Sequence, residues 1–307
     1  MLGRILAYNE ICVNHSRGGK ALTAPLVSSS MKTISVIIPT YQDGERLRRN
    51  LVRLREIQRR EYPALEIIVS VRPSEDMTLE VAERFADKVV LTEGLVSESR
   101  NNGGAAATGE VLLFLDADAV PNFGTLRKIS AAAEPGTIGT CASFPYPFSR
   151  RALLATSGQN TLRALHLVKG ANLLFCHRSI FFDKGIRYDP ERNLGEHHDF
   201  VQRAVTSGAR YRYLRIPKGY EVDVGRYDTL GYLRTFCFWI MYSLSKLLHA
   251  DAFIQECTRL YWNKNERMSY ASLFRPLLRT AGQGVRKLAT LLLFGFAALM
   301  ALASSFN

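Results

Sequence analysis

The hydrophobic positions of this chain take on a regular rhythm from residue 32 onward. Residues 34–38 (ISVII) form a continuous β-branched run. This is the pattern of a strand buried on both faces of a parallel sheet, and Pro39 is expected to end it. Leu47, Leu51, Leu54 and Ile57 then recur at helical spacing through an arginine-rich stretch, which predicts an amphipathic helix. Residues 65–71 (LEIIVSV) predict a second strand. The alternation continues with a helix near 74–85, a short strand over 88–91, a helix near 97–108 and a strand over 111–115. Such a pattern predicts an α/β domain with a mostly parallel central sheet and right-handed crossovers. Ligands of these sheets bind at the carboxyl ends of the strands.

The flanks read differently. Residues 1–31 mix Gly, Ser, Asn and Lys around short apolar stretches; a poorly ordered extension is expected there, because no long apolar run precedes a small-residue cleavage site. Residues 226–287 are basic and aromatic-rich, with Phe236, Phe238, Trp239, Met241, Leu244, Leu247 and Leu248 in a stretch too short to span a bilayer. They predict an amphipathic helical region, either interfacial or packed on the α/β domain. Nineteen residues without a charge, 288–306, follow Arg275, Arg279, Arg286 and Lys287. At about 1.5 Å per residue that run spans a hydrocarbon core of roughly 30 Å, so a transmembrane helix is expected. By the positive-inside tendency a single-pass membrane protein is expected, with its α/β domain in the cytoplasm.

Composition narrows the classes. A chain of 307 residues with 47% hydrophobic and 22% charged character has enough apolar surface for a core, which excludes wholesale disorder. Forty Lys and Arg against 28 Asp and Glu leave a net charge of +12. That excess suits a polyanionic partner: nucleic acid, an anionic membrane face or a phosphorylated substrate. Part of it lies in the first predicted helix, at Arg46, Arg48, Arg49, Arg53, Arg55, Arg59 and Arg60, and is read as a solvated face. The five cysteines (Cys12, Cys141, Cys176, Cys237, Cys257) are odd in number and scattered. They fit neither a disulfide framework nor a zinc site, and a reducing compartment is the simpler reading.

The chemistry concentrates where the strand 111–115 ends, at Asp116-Ala117-Asp118. Two carboxylates one residue apart suit a hard divalent cation, Mg²⁺ or Mn²⁺, which is usually held by one or two carboxylates together with substrate phosphates. The plainer alternative is a solvated turn in which one Asp caps the helix after Pro121.

The segments SVIIPTYQDGERL (35–47), SRNNGGAAATGEVLLFLDADAVP (99–121) and GANLLFCHRSIFF with GEHHDFVQRAVTSG (170–208) resemble the successive motifs of family 2 glycosyltransferases. They occur in that family's order across residues 32–216, some three-fifths of the chain, and are far more specific together than singly. The resemblance implies a GT-A fold over residues 32–225. It also implies a nucleotide-diphosphate sugar donor, a divalent metal and inversion at the anomeric carbon. Pro39 and Tyr41 fall where the family packs the nucleotide base. Arg100 falls where the base or phosphates are contacted, with Asn101 holding that loop and Gly103 and Gly104 permitting close backbone approach. Asp116 is placed near the ribose or metal and Asp118 on the metal.

Two departures stand out. The family commonly ends its second strand in a carboxylate that bonds the base; this chain has Val69-Ser70-Val71-Arg72. Ser70 can still hydrogen-bond and Arg72 can donate to a phosphate or a base carbonyl, so the base stays open. At the catalytic loop the family often shows Glu-Asp, with the Asp as general base; here Glu196-His197-His198-Asp199 puts His197 in that position. His197 and Asp199 are rival bases, since an imidazole titrates near the operating pH. A third option is no side-chain base at all: a lipid phosphate, with a second ionisation near pH 6, brings its own nucleophilic oxygen.

The sequence thus predicts a metal-dependent, membrane-associated glycosyltransferase acting on polyprenyl phosphate or a lipid-linked glycan. The alternative is a non-catalytic nucleotide-sugar or glycan-binding protein that kept the fold. No nucleic-acid module is recognised, so nucleic acid is not expected as a partner.

Overall fold

The computed structural model describes residues 31–225, except Asn193, together with Thr235. The expectations for residues 1–30, for the amphipathic region 226–287 apart from Thr235, and for the apolar run 288–306 lie outside the described residues. In chain order the elements are β1 (Ile34–Thr40), α1 (Gly44–Arg60), β2 (Leu65–Val71), α2 (Thr78–Phe85), β3 (Lys88–Leu91), α3 (Val96–Ala105), β4 (Val111–Leu115), β5 (Ala119–Pro121) and α4 (Phe123–Ala132). There follow β6 (Thr137–Cys141), β7 (Ser143–Tyr146), α5 (Arg150–Ala164), β8 (Leu173–His177), α6 (Arg178–Phe181), α7 (Glu196–Thr206), β9 (Arg210–Leu214) and β10 (Tyr220–Asp223).

The main sheet has seven strands in the order β3-β2-β1-β4-β8-β6-β9, and a three-stranded sheet has the order β5-β10-β7. The first four strands of the main sheet are parallel. β8 runs against both β4 and β6, while β6 and β9 are parallel. The sheet is therefore mixed, where the alternation of the first half suggested a mostly parallel one. β1 also continues past the expected stop at Pro39. Thr40 C=O accepts from Arg72 N–H at 3.0 Å on the β2 side. Strand alternation thus puts the missing N–H of Pro39 on the β4 side, where pairing has ended at Ile37 opposite Phe114.

Both faces of the main sheet are covered. Ile34, Val36 and Ile38 pack with Leu47, Leu51 and Leu54 of α1 on one side. Ile37, Ile68, Leu112 and Phe114 pack with Ile180, Phe181, Phe200 and Val201 of α6 and α7 on the other. Leu47, Leu51 and Leu54 are the helical stripe that the spacing predicted.

The arginines of α1 are more than a solvated face. Arg49 reaches Asp223 at 3.1 Å and Arg53 reaches Glu221 at 2.6 Å, both carboxylates on β10. Arg55 pairs with Asp87 ahead of β3. Partly exposed pairs of this kind are worth up to about 1 kcal/mol each, so their main effect is to register α1 against the small sheet.

The expected single-pass membrane topology is corrected. Among the described residues no helix is long and apolar enough to cross a membrane. α1, the longest of them at 17 residues, is shorter than the roughly 20 apolar residues needed, and it is lined with arginine.

Gly103 and Gly104 serve packing rather than an open loop. A Cβ on Gly103 would stand 2.6 Å from Ile37 Cγ2, and one on Gly104 would stand 2.6 Å from the Phe181 ring. α3 therefore lies directly on β1, which carries Arg100 to the strand ends. Gly103→Val should force α3 off the sheet and destabilise the domain by about 1–3 kcal/mol in urea unfolding; an unchanged midpoint would mean that this contact does not hold the helix.

Candidate active site

Arg100 lies at the centre of the site, 2% exposed although always charged. A buried guanidinium needs acceptors in a fixed geometry. Arg100 Nη2 donates to Asp116 Oδ1 at 2.6 Å and Nη1 donates to Glu196 Oε1 at 2.7 Å. Three distant segments thereby meet: α3, the end of β4 and the start of α7. The neighbouring Asn101 clips the loop before α7, since its amide donates to Tyr188 C=O and its Oδ1 accepts from Tyr188 N–H, each at 2.8 Å.

The acidic turn is anchored on several sides. Asp116 N–H donates to Asn172 C=O at 2.9 Å. The Asn172 amide donates back to Asp116 Oδ2 at 3.1 Å. Ala117 C=O accepts from the buried Asn50 amide, and Asp118 C=O accepts from Asp223 N–H at 2.8 Å. Both carboxylate oxygens of Asp116 thus have protein partners. Asp118, partly buried two residues on, leaves the same turn.

α7 opens from Gly195, whose φ of +68° lies in the left-handed region that suits glycine. His197 follows, 6% exposed. Its Nδ1 lies 2.9 Å from Tyr188 Oη, and its Nε2 faces Asp116 Oδ1 at 3.7 Å. Tyr188 is in turn stacked on Phe200 at 4.3 Å between ring centroids. Asp199 turns away: Oδ2 accepts from Arg203 Nε at 2.9 Å, and Oδ1 lies 3.6 Å from Arg192.

The electrostatics follow from this packing. Burial disfavours the Arg100 charge, but Glu196 and Asp116 outweigh it and raise its pKa. Burial likewise opposes the charge on Asp116, yet Arg100 and His197 prevail and hold it down at about 2. Burial, then Arg100, push His197 below its ordinary 6.5, against the pull of Asp116. Burial raises the Tyr188 hydroxyl well above 10. The cluster is therefore a fixed Arg⁺ between two carboxylates, with a neutral imidazole against it at neutral pH.

The remaining candidates lie at the ends of β1 and β2. Pro39 is buried within β1. Ser70 is fully buried, with its hydroxyl 3.1 Å from that of Thr92. Tyr41 is 46% exposed, with the Arg72 guanidinium 4.7 Å over its ring. Sequence reasoning missed Asn172 and Tyr188. Asn172 stands in the GANLLF stretch ahead of β8, which marks the segment but not the partner. Tyr188 carries no local signal, because its role arises from contacts across the fold. Among the described residues no three His, Cys, Asp or Glu side chains are grouped to enclose a metal, so a cation here would need substrate oxygens beside Asp118.

The family model described as Glycosyl transferase family 2 matches residues 35–195. Among curated proteins, glycosyltransferase AglE of Haloferax volcanii is 29% identical over 133 residues, 39% of this chain and 43% of that protein. The match thus spans less than half of that relative's length. Mannosyltransferase PcManGT from Pyrobaculum calidifontis, solved with GDP-Man and Mn2+, is similar with a TM-score of 0.55 at 17% identity, covering 91% of this chain and 84% of its own. S. aureus TarS is similar with a TM-score of 0.52 at 19% identity, covering 76% of this chain and 46% of its own. Likeness at these identities speaks for the fold, a GT-A-like α/β architecture with a mixed central sheet.

The burial of His197 has a consequence for stability. Its folded pKa is depressed, so below about pH 6.5 the unfolded chain takes up a proton that the folded chain refuses. The stability present above that pH should be lost as pH falls toward the folded value. His197→Gln should flatten this part of the profile in thermal unfolding; a slope equal to that of the parent would show that His197 is not held neutral.

Proposed function

The chain belongs to glycosyl transferase family 2, and on that premise we propose that it transfers a sugar, with inversion and metal dependence, from a nucleotide-diphosphate donor to a membrane-associated acceptor carrying a phosphate. The observation that supports this most is the buried Arg100, which draws Asp116 and Glu196 together at the carboxyl end of β4 beside Asp118. Arg100 holds both carboxylates in place and helps to keep Asp116 ionised. Asp118, on the same turn at the end of β4, is the residue assigned here to hold Mn²⁺ or Mg²⁺ together with the donor diphosphate, a donor set that suits these hard cations. When bound, the metal supplies charge neutralisation for the departing nucleotide diphosphate.

The choice of acceptor rests on the state of the candidate bases. His197 is sealed between Tyr188 and Asp116, Asp199 is tied to Arg203 and Arg192, and Glu196 is tied to Arg100. An acceptor hydroxyl would need one of them released. A phosphomonoester, with its second ionisation near pH 6, arrives with a nucleophilic oxygen and needs none. A polyprenyl phosphate is therefore favoured over the hydroxyl of a lipid-linked glycan. The phosphate oxygen bonds to the anomeric carbon as the bond from that carbon to the diphosphate oxygen breaks, and the electron pair leaves with the nucleotide diphosphate.

Asp118→Ala should lower Mn²⁺-dependent sugar transfer by about 10²-fold or more, on the scale of losing one transition-state stabiliser; undiminished transfer would contradict the assignment. With a polyprenyl phosphate acceptor, His197→Ala should stay within about tenfold of the parent rate. A loss of about 10²–10⁴-fold would instead identify His197 as the general base.

A further inference from the structure

A second guanidinium is buried in this domain, and among the described residues no carboxylate pairs with it. Arg163, near the end of α5, is 5% exposed. Its acceptors are all neutral: Nε donates to Gly170 C=O at 3.1 Å, Nη1 to Ser143 Oγ at 3.1 Å and to Asn160 Oδ1 at 3.3 Å, and Nη2 to Gln159 Oε1 at 3.4 Å. Arg100 has two carboxylates for the same degree of burial. A charge desolvated against neutral acceptors alone stabilises a fold poorly, because nothing of opposite sign offsets its lost hydration. What Arg163 holds is therefore informative.

The Asn160 amide donates to Ser143 C=O at 2.9 Å and its Oδ1 accepts from Ser143 N–H at 3.0 Å, which fastens α5 to β7. After α5 the chain turns at His166, whose φ is +60°, and residues 168–171 lead to β8 without regular structure. Among the described residues no backbone N–H reaches Gly170 C=O, so Arg163 supplies its donor. Two residues on, Asn172 C=O accepts from Asp116 N–H at 2.9 Å and the Asn172 amide donates to Asp116 Oδ2 at 3.1 Å. The same segment lies against the first turn of α7. A Cβ on Gly170 would stand 3.5 Å from His198 N and 3.7 Å from His197 Cβ, and Lys169 N–H donates to His198 Nδ1 at 3.5 Å.

We propose that Arg163 is a positioning residue of the sugar-transfer step: by gripping Gly170 C=O it sets the 169–172 segment, and through that segment the Asn172–Asp116 contact and the seat of His197. The proposal rests on the glycosyltransferase reading above and deepens it by naming a residue outside the Arg100 cluster. Arg163 bonds to no member of that cluster, so its influence passes along the chain from Gly170 to Asn172. A planar fork with five donors at fixed angles can hold Gly170, Ser143 and Gln159 at once, whereas lysine, a point charge on a flexible stem, cannot. Displacing a reacting group by about 1 Å can lower a rate by about 10²-fold, so slack in a segment two residues from the Asp116 contact is enough to be read in turnover.

Steady-state transfer from a nucleotide-sugar donor, measured beside the melting temperature for the full-length parent, Arg163→Met, Arg163→Lys, Asn172→Ala and the Arg163→Met, Asn172→Ala double variant, tests this. Arg163→Met should lower kcat by about 10- to 100-fold. Its melting temperature should stay within about 4 °C of the parent, since the lost hydrogen bonds and the relieved burial of charge oppose each other. Arg163→Lys should lose nearly as much activity as Arg163→Met, because the fork and not the charge is what matters. In the Asn172→Ala background the loss caused by Arg163→Met should shrink by about threefold or more, the mark of two residues acting on one contact. An equal loss in both backgrounds, a lysine variant at the parent rate, or a collapse of the melting temperature in both Arg163 variants would overturn the inference while leaving the transferase reading standing. A parent protein that transfers from no nucleotide sugar would overturn that reading and this inference with it.

Discussion

A guanidinium buried to 2% exposure is the constraint around which this domain is arranged. Unpaired, the Arg100 charge would cost several kcal/mol in effective desolvation. Its two contacts come from the turn after β4 and the first residue of α7, some 16 and 96 positions away in the chain. The charge therefore dictates that α3, β4 and α7 converge. The glycines of α3 let that helix lie close enough to β1 for the side chain to reach. Removing one partner would strand a buried charge, which is far more damaging than the net worth of the pair suggests.

The same arrangement separates the tasks of the site. Asp116 is drawn into holding Arg100, and Asn172 takes its other oxygen. His197 is drawn inward beside Tyr188, where burial keeps it neutral. The exposed Tyr41 and the half-buried Arg72 lie at the neighbouring strand ends. A fixed ionic core is an organisation suited to stabilising charge that develops during a reaction, since prearranged dipoles need not reorganise.

Much of the first half of the fold is legible in the sequence because β1, β2 and β4 are buried on both faces and so read as unbroken apolar runs. β6 and β7, TIGTC and SFPY, are short and interrupted by Gly, Thr and Pro. Their pairing, and the reversal of β8, depend on contacts that no local periodicity encodes. Within the site, Arg100, Asp116, Glu196 and His197 are conspicuous as charged or titratable residues in recognisable motifs. Their mutual contacts are not, because each spans separate elements. Tyr188 and Asn172 are ordinary in sequence and matter only through what folding brings to them. The glycines after Arg100, expected to permit close backbone approach, lie close against Ile37 and Phe181. The arginines of α1, read as solvated, reach β10.

The claim that Arg100 and Asp116 act as one unit in sugar transfer is tested most directly by a double-mutant cycle on Arg100→Met and Asp116→Asn, read as kcat/KM with a nucleotide-sugar donor. If the cluster works as a unit, each single change should cost nearly as much as both together, since the second substitution removes a group already displaced. Costs that simply add would show that the two residues act independently and would contradict the role given to the buried guanidinium.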